Sequence, residues 1–116
     1  MGFWRSTYFA YGLEVPAAGA PWQAAEHLEA ELPKIKEQCP DVGFLQAGDY
    51  DQDMTFLVTK SEEIELGTYE VVRPDTVTDE QRADWDRQLI AACQALGYAT
   101  GPDLKGPGWI CVPDLS

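Results

Sequence analysis

One histidine, three widely spaced cysteines and an excess of carboxylates are the residues through which this chain could do chemistry. His27 falls on the polar side of a helix predicted from Pro21, with Ala24, Glu31 and Lys34 as its vertical neighbours, which is the setting of a solvated imidazole. With a single His, and with no Ser or Cys in a nucleophile motif, neither a triad nor a Cys–His dyad can be assembled. The glycines at 101, 106 and 108 do not form a phosphate cradle, because Pro102 and Pro107 remove backbone N–H donors that such a loop uses. Asp49, Asp51 and Asp53 alternate like the first three ligands of a calcium loop. The sixth position is Met54 where the sharp turn needs Gly, and the twelfth is Lys60 where the bidentate Glu belongs, so the segment reads as a solvated turn. No catalytic residue, metal or cofactor is implied, and the expectation is a non-enzymatic protein.

Charge is the larger signal. Twenty acidic residues against eight basic give a net charge of −12, with an isoelectric point near 4.2. A duplex-binding surface is built from clustered Lys and Arg, so direct nucleic-acid binding is not expected. Between Asp41 and Asp86 the only cations are Lys60, Arg73 and Arg82. The carboxylates there, namely Asp49, Asp51, Asp53, Glu62, Glu63, Glu65, Asp79, Glu80, Asp84 and Asp86, are the candidate partner-binding surface. Such acids keep a protein dispersed; they can also meet a basic surface on a protein partner, in the limit by mimicking nucleic-acid phosphates. An odd cysteine count at wide spacing is neither a disulfide framework nor a zinc knuckle, and it fits a reducing cytoplasm. Cys93 and Cys111 are expected to be buried as small hydrophobes. No secretion signal opens the chain and no run approaches a membrane span, so no membrane contact is expected.

The elements that must position these groups follow from periodicity. Residues 3–15 alternate, with Phe3, Thr7, Phe9, Tyr11, Leu13 and Val15 on the more apolar side, and predict a long strand. A helix from Pro21 carries Trp22, Ala25, Leu28, Leu32, Ile35 and Cys39 as its buried stripe, with a kink or restarted turn at Pro33. Residues 42–47 and 54–60 predict a hairpin around a six-residue turn. Thr78 and Gln81 form a capping box opening a second helix, whose stripe is Trp85, Leu89, Ala92, Cys93 and Leu96 and which ends at Gly97. Residues 109–112 make a last strand, with Pro113 at its end marking a sheet edge.

The order is β-α-β-β-α-β, which predicts one α+β domain over 1–116: a two-layer ferredoxin-like sheet with both helices on one face. Residues 61–77 are either loop or an extra strand. The face bearing Trp4 and Tyr8 would then be bare, which is costly for aromatic side chains. It would serve as a homodimer interface, or as a ligand pocket with Arg5 orienting an anion, unless residues 61–77 fold over it.

The opening Phe3-Trp4-Arg5-Ser6-Thr7-Tyr8-Phe9-Ala10-Tyr11-Gly12 and the segment from Ala47 to Met54 resemble those of short acidic proteins of actinobacteria and their phages. That resemblance implies no activity; a phage origin would imply a host-directed inhibitor or small accessory protein. The expectation from sequence is a cytoplasmic binding module acting on a protein partner with a basic surface. Its rival is a homodimer holding a small ligand at the Trp4–Arg5–Tyr8 face.

Overall fold

A computed structural model describes residues 5–16, 20–48, 54–98 and 106–115. Eleven residues of aromatic and β-branched character, Arg5–Val15, form strand β1. Helix α1, Pro21–Glu31, starts on a proline whose missing N–H costs nothing at a helix N-terminus, and the Gln23 side chain accepts the Ala20 N–H at 2.8 Å. Pro33 acts as anticipated: the α-helix stops at Glu31 and a 3-10 turn, Leu32–Ile35, replaces it. Strands β2 (Gly43–Ala47) and β3 (Met54–Glu65) follow. Helix α2 spans Asp79–Leu96, with the Thr78 hydroxyl accepting the Gln81 N–H and Gly97 closing it in the left-handed conformation. Strand β4 spans Gly108–Leu115.

The four strands form one antiparallel sheet in the order β2-β3-β1-β4, so β1 and β3 are central and β2 and β4 are edges. The fold is therefore mixed α+β. No separate strand arises from residues 61–77. Ser61–Glu65 instead prolong β3, because β1 offers backbone partners down to Ser6, which faces Glu65. Residues 66–73 then run without regular structure to a 3-10 turn at Pro74–Thr76.

Odd-numbered β1 residues face the helices. Tyr11, Leu13 and Val15 pack with Leu57 of β3, Leu28 of α1 and Trp85, Leu89, Ala92 and Cys93 of α2 in the first core. Within it Tyr11 lies between two tryptophans, its ring centroid 5.4 Å from Trp85 and 5.0 Å from Trp109. The stripe of α1 differs from the expected one. Leu28 is buried as expected, but Trp22 is 61% exposed and Ala24 is buried in its place. Steps of three residues lag the helix by about 60° each, so Trp22 turns away from the line through Leu28.

Even-numbered β1 residues face a second core that was expected to be a bare sheet surface. Ala10, Ala47, Phe56, Val58 and Val112 are buried there, with Tyr8, Leu45 and Ile110 packed around them, and every one of these residues lies on a strand. The sheet encloses them by folding. In a flat sheet the edges β2 and β4 would lie about 14 Å apart, three strand spacings. Here they touch, and the Asp114 carboxylate of β4 accepts the N–H of Gly48, just past β2, at 2.9 Å. The fold line is a β-bulge: Tyr11 pairs with Lys60 and Gly12 with Val58, leaving Thr59 without a partner residue on β1. Gly12 permits it, since a Cβ there would overlap the carbonyl oxygen of Leu57 and stand 2.9 Å from the Val58 Cα.

Candidate partner-binding surface

Register decides where each candidate carboxylate points. On β3, Glu62 pairs with Phe9 and so shares the helix-side face, whereas Glu63 pairs with Tyr8 and Glu65 with Ser6 on the opposite face. A run that is continuous in sequence is therefore divided between two faces of the sheet. Glu62 lies 3.9 Å from the Lys60 ammonium, and Glu63 accepts the Ser6 hydroxyl at 2.8 Å.

On α2 the carboxylates divide differently. Asp79 and Glu80 are exposed in the first turn, where the helix dipole favours them, and Asp79 is paired with Arg82. Asp84 pairs with Arg87 and also accepts the Gln88 amide at 2.8 Å. Asp86 accepts the Tyr11 hydroxyl at 2.5 Å. Asp86 and Gln88 fasten α2 to its neighbours: Asp86 holds Tyr11 of β1, and the buried Gln88, which also donates to Asp84 within the helix, donates to Asp41 at 3.0 Å and accepts the Asp41 N–H. Sequence periodicity missed Gln88, a polar residue on an apolar stripe; its place between Trp85 and Leu89 is the only signal of burial. Asp49, Asp51 and Asp53 lie outside the described residues.

The predicted aromatic face fares as follows. Trp4 lies outside the described residues, and of Arg5 only the backbone is described, paired with Leu115. Tyr8 is half-buried at the rim of the second core. Burial, then the nearby charges of Glu63 and Asp114, raise its pKa. The Tyr11 pKa is pushed up to about 12 by burial and then by the hydrogen bond to Asp86. Burial alone pushes the Cys93 thiol up to about 11. Cys111, expected inside, is exposed on the edge strand β4. Exposed His27 sits on the outer side of α1, as its spacing implied.

Along the helix-side face the sheet continues past the first core in two further rows of partly exposed and exposed residues. Cys111, Phe9 and Glu62 stand abreast in one row, and Pro113, Thr7 and Ile64 in the next. Phe9 stacks on Trp109 at 5.3 Å, which carries the aromatic ladder from the core out to this surface. At the sheet's end the Pro113–Thr7–Ile64 row forms part of an open groove of about 510 Å³, bounded by the Leu66–Thr68 turn. Sequence reasoning did not find this groove, since it depends on the registers of three strands. A smaller, more polar hollow of about 360 Å³ lies between the β3 bulge and the start of α2, lined by Lys60, Thr78 and Gln81 among others.

Among the described residues no group of three or more His, Cys, Asp or Glu side chains stands close enough to hold a metal ion, and no helix is long and apolar enough to cross a membrane. Compared with protein-family models, with curated proteins and with solved structures, the chain matches none.

Proposed function

We propose that the chain is a small non-enzymatic binding module that acts by protein–protein contact, its partner presenting a basic surface. The supporting observation is the imbalance of charge on the outside of the fold. The ion pairs of α2 are exposed i,i+3 pairs, Arg82 with Asp79 and Arg87 with Asp84, and such pairs contribute little. Glu65 and Glu80 are exposed as well, within a chain of net charge −12. The resulting field attracts a cationic surface and speeds encounter with it. Buried free Cys39 and Cys93 fit a reducing cytoplasm. The strand order, all-antiparallel pairing and shared helix-side core support a ferredoxin-like arrangement modified by the fold at Gly12. In its sharpest form the reading is an inhibitor that occupies a nucleic-acid-binding site, in keeping with the resemblance to phage proteins.

The rival reading, a homodimer enclosing a ligand between two bare faces, has less support, because the second core fills the face that carries Tyr8.

The test is binding to a panel of purified bacterial DNA- and RNA-binding proteins, measured by biolayer interferometry from low to high salt. The expected result is at least one complex that weakens with salt and with the combined variant Glu62→Gln, Glu65→Gln, Asp79→Asn, Glu80→Gln. Binding indifferent both to salt and to that variant would remove the electrostatic basis of the reading.

A further inference from the structure

We infer that residues 68–72 are a fifth strand held in reserve, a strap that closes onto the outer edge of β3 once like charge and an unsuitable turn residue no longer keep it off. The inference does not depend on the binding-module reading. β2 pairs with β3 only as far as Val58, opposite Gly43, yet β3 runs on to Glu65. From Thr59 to Glu65 the edge of β3 turned away from β1 therefore has no strand beside it among the described residues. The phase of the ladder follows from Pro113, which has no N–H to exchange with its partner Thr7. Thr7 accordingly turns its backbone groups to Ile64. The alternate residues of β3, Ser61, Glu63 and Glu65, point theirs outward. Glu65 agrees with this phase: its carbonyl accepts both the N–H and the hydroxyl of Thr68, at 3.1 and 2.7 Å.

That contact is the closing bond of a two-residue hairpin loop, Leu66–Gly67, with Gly67 at φ +88°. Continued, the hairpin would set Tyr69 opposite Ile64, Glu70 opposite Glu63, Val71 opposite Glu62 and Val72 opposite Ser61. Thr68, Tyr69, Val71 and Val72 are strand-forming types. Yet residues 69–72 make no backbone hydrogen bond among the described residues, and Tyr69 and Val71 are 84% and 70% exposed. Two features hold the strap off. Glu70 would face Glu63, which is exposed although it accepts the Ser6 hydroxyl, and next along Arg73 would face Lys60, whose charge Glu62 only partly offsets at 3.9 Å. Like charges directly opposite each other resist pairing. Leu66 is the second feature, because the favoured two-residue turns need positive φ at their first position, which a leucine resists. In favour of closing stands Tyr69 against Ile64, an aromatic with a β-branched residue, an effect of the same order as one like-charged pair. A change of charge at one position therefore moves the strap. Open, it displays Tyr69 and Val71; closed, it lays them beside Ile64 and gives the backbones of Ser61 and Glu63 partners.

The experiment is amide hydrogen exchange by NMR on the isotope-labelled full chain. Four proteins are compared: the unaltered chain, Glu70→Lys, Glu70→Lys with Leu66→Asn, and Glu29→Lys, which makes the same charge change on α1. All three positions are exposed, so the variants keep their fold, which an unchanged exchange rate at Leu89 would verify. The expected result is that the amides of Ser61, Glu63, residue 70 and Val72 exchange fast in the unaltered chain and in Glu29→Lys. They should slow about tenfold in Glu70→Lys, the ratio that 1.4 kcal/mol represents, and further in the double variant, whose Asn–Gly loop suits a tight hairpin. Contacts between the Tyr69 ring and the Ile64 methyl groups should appear at the same time. Unchanged rates in the double variant would overturn the proposal, and so would equal slowing in Glu29→Lys. Protection of these four amides in the unaltered chain equal to that of Leu57 would make the segment a resting strand and remove the switch. Slowing that grows with protein concentration would make the pairing one between two copies and overturn the assignment to the chain's own β3.

Discussion

The two cores of this molecule are buried by different means. The first lies beneath helices, with Leu28, Leu89, Ala92 and Cys93 pressed onto Tyr11, Leu13 and Leu57. Among the described residues the second contains strand residues only, and the sheet that carries them folds along Gly12 and Thr59. A helix-covered face is secured by many independent contacts, each contributing according to the apolar area it removes from water. A self-covered face depends on a few permissive features at its fold line and its closing corner. One four-stranded sheet thus buries residues on both of its faces, on one side beneath helices and on the other by its own bend.

The strongest way to break this comparison is Gly12→Ala. The added methyl would overlap the Leu57 carbonyl oxygen, so the bend must open or the strands must part. A loss of about 4 kcal/mol or more is expected in urea unfolding, the range reserved for named structural faults. A loss below about 1 kcal/mol would show that the fold line tolerates a side chain and that the second core is held otherwise.

Next in size is a matched pair of cavities. Leu89→Ala in the first core and Phe56→Ala in the second should each cost about 2–5 kcal/mol. They should differ in hydrogen exchange. Leu89→Ala should speed exchange throughout α2, β1 and β3, whereas Phe56→Ala should release β2 and β4 first while α2 stays protected. Identical exchange patterns would mean that the two cores open as one unit.

A moderate effect belongs to Tyr11, which ties the first core to α2 through Asp86. Its pKa is raised from 10.0 to about 12 in the folded state, so the native protein holds the phenolic proton after the unfolded chain has lost it. The stability this contributes is fully present below pH 10 and declines as pH rises through about 12. Cys93, raised from 9.0 to about 11, adds a decline that begins one unit earlier. Tyr11→Phe should cost about 1 kcal/mol at neutral pH and make the alkaline decline shallower, as followed by thermal melts across that range. An unchanged alkaline limb would assign it to other groups.

The smallest expected change is the most local. Asp114→Ala removes the acceptor that joins β4 to the Gly48 N–H at the closing corner, and should cost about 1 kcal/mol. Exchange of the Gly48 amide should rise with little change at Leu89. No change at Gly48 would show that apolar contact alone keeps the edges together.

Much of the helix-covered half was legible in the sequence, because helix signals are local. Thr78 with Gln81, the stripe from Trp85 to Cys93, Gly97 at the end and Pro33 as an interruption each act within a turn or two of chain. Tyr8 was legible only as an aromatic on the second face of its strand, and nothing near it in sequence announced what would cover it. The same limit applied to the candidate surface. Glu62, Glu63 and Glu65 read as one acidic run, yet successive strand residues point to opposite faces, and the length of β3 that determines this came from pairing with β1. Asp86 read as surface charge, but the partner that turns it inward, Tyr11, became its neighbour only through the packing of α2 on β1, whereas Asp84 accepts Gln88 within one turn of the same helix.

Residue types and short-range spacing were enough for the α+β class, the start of α1 at Pro21, α2 with both of its caps and the strong negative charge. Tertiary structure alone decided the length of β3, the bend at Gly12 that closes the second core and the groove beside Leu66. Each of those requires residues some fifty or a hundred positions apart, Thr7 with Ile64 and Pro113 for instance, to be brought into register, and backbone hydrogen bonds between strands carry no mark in the local pattern of side chains.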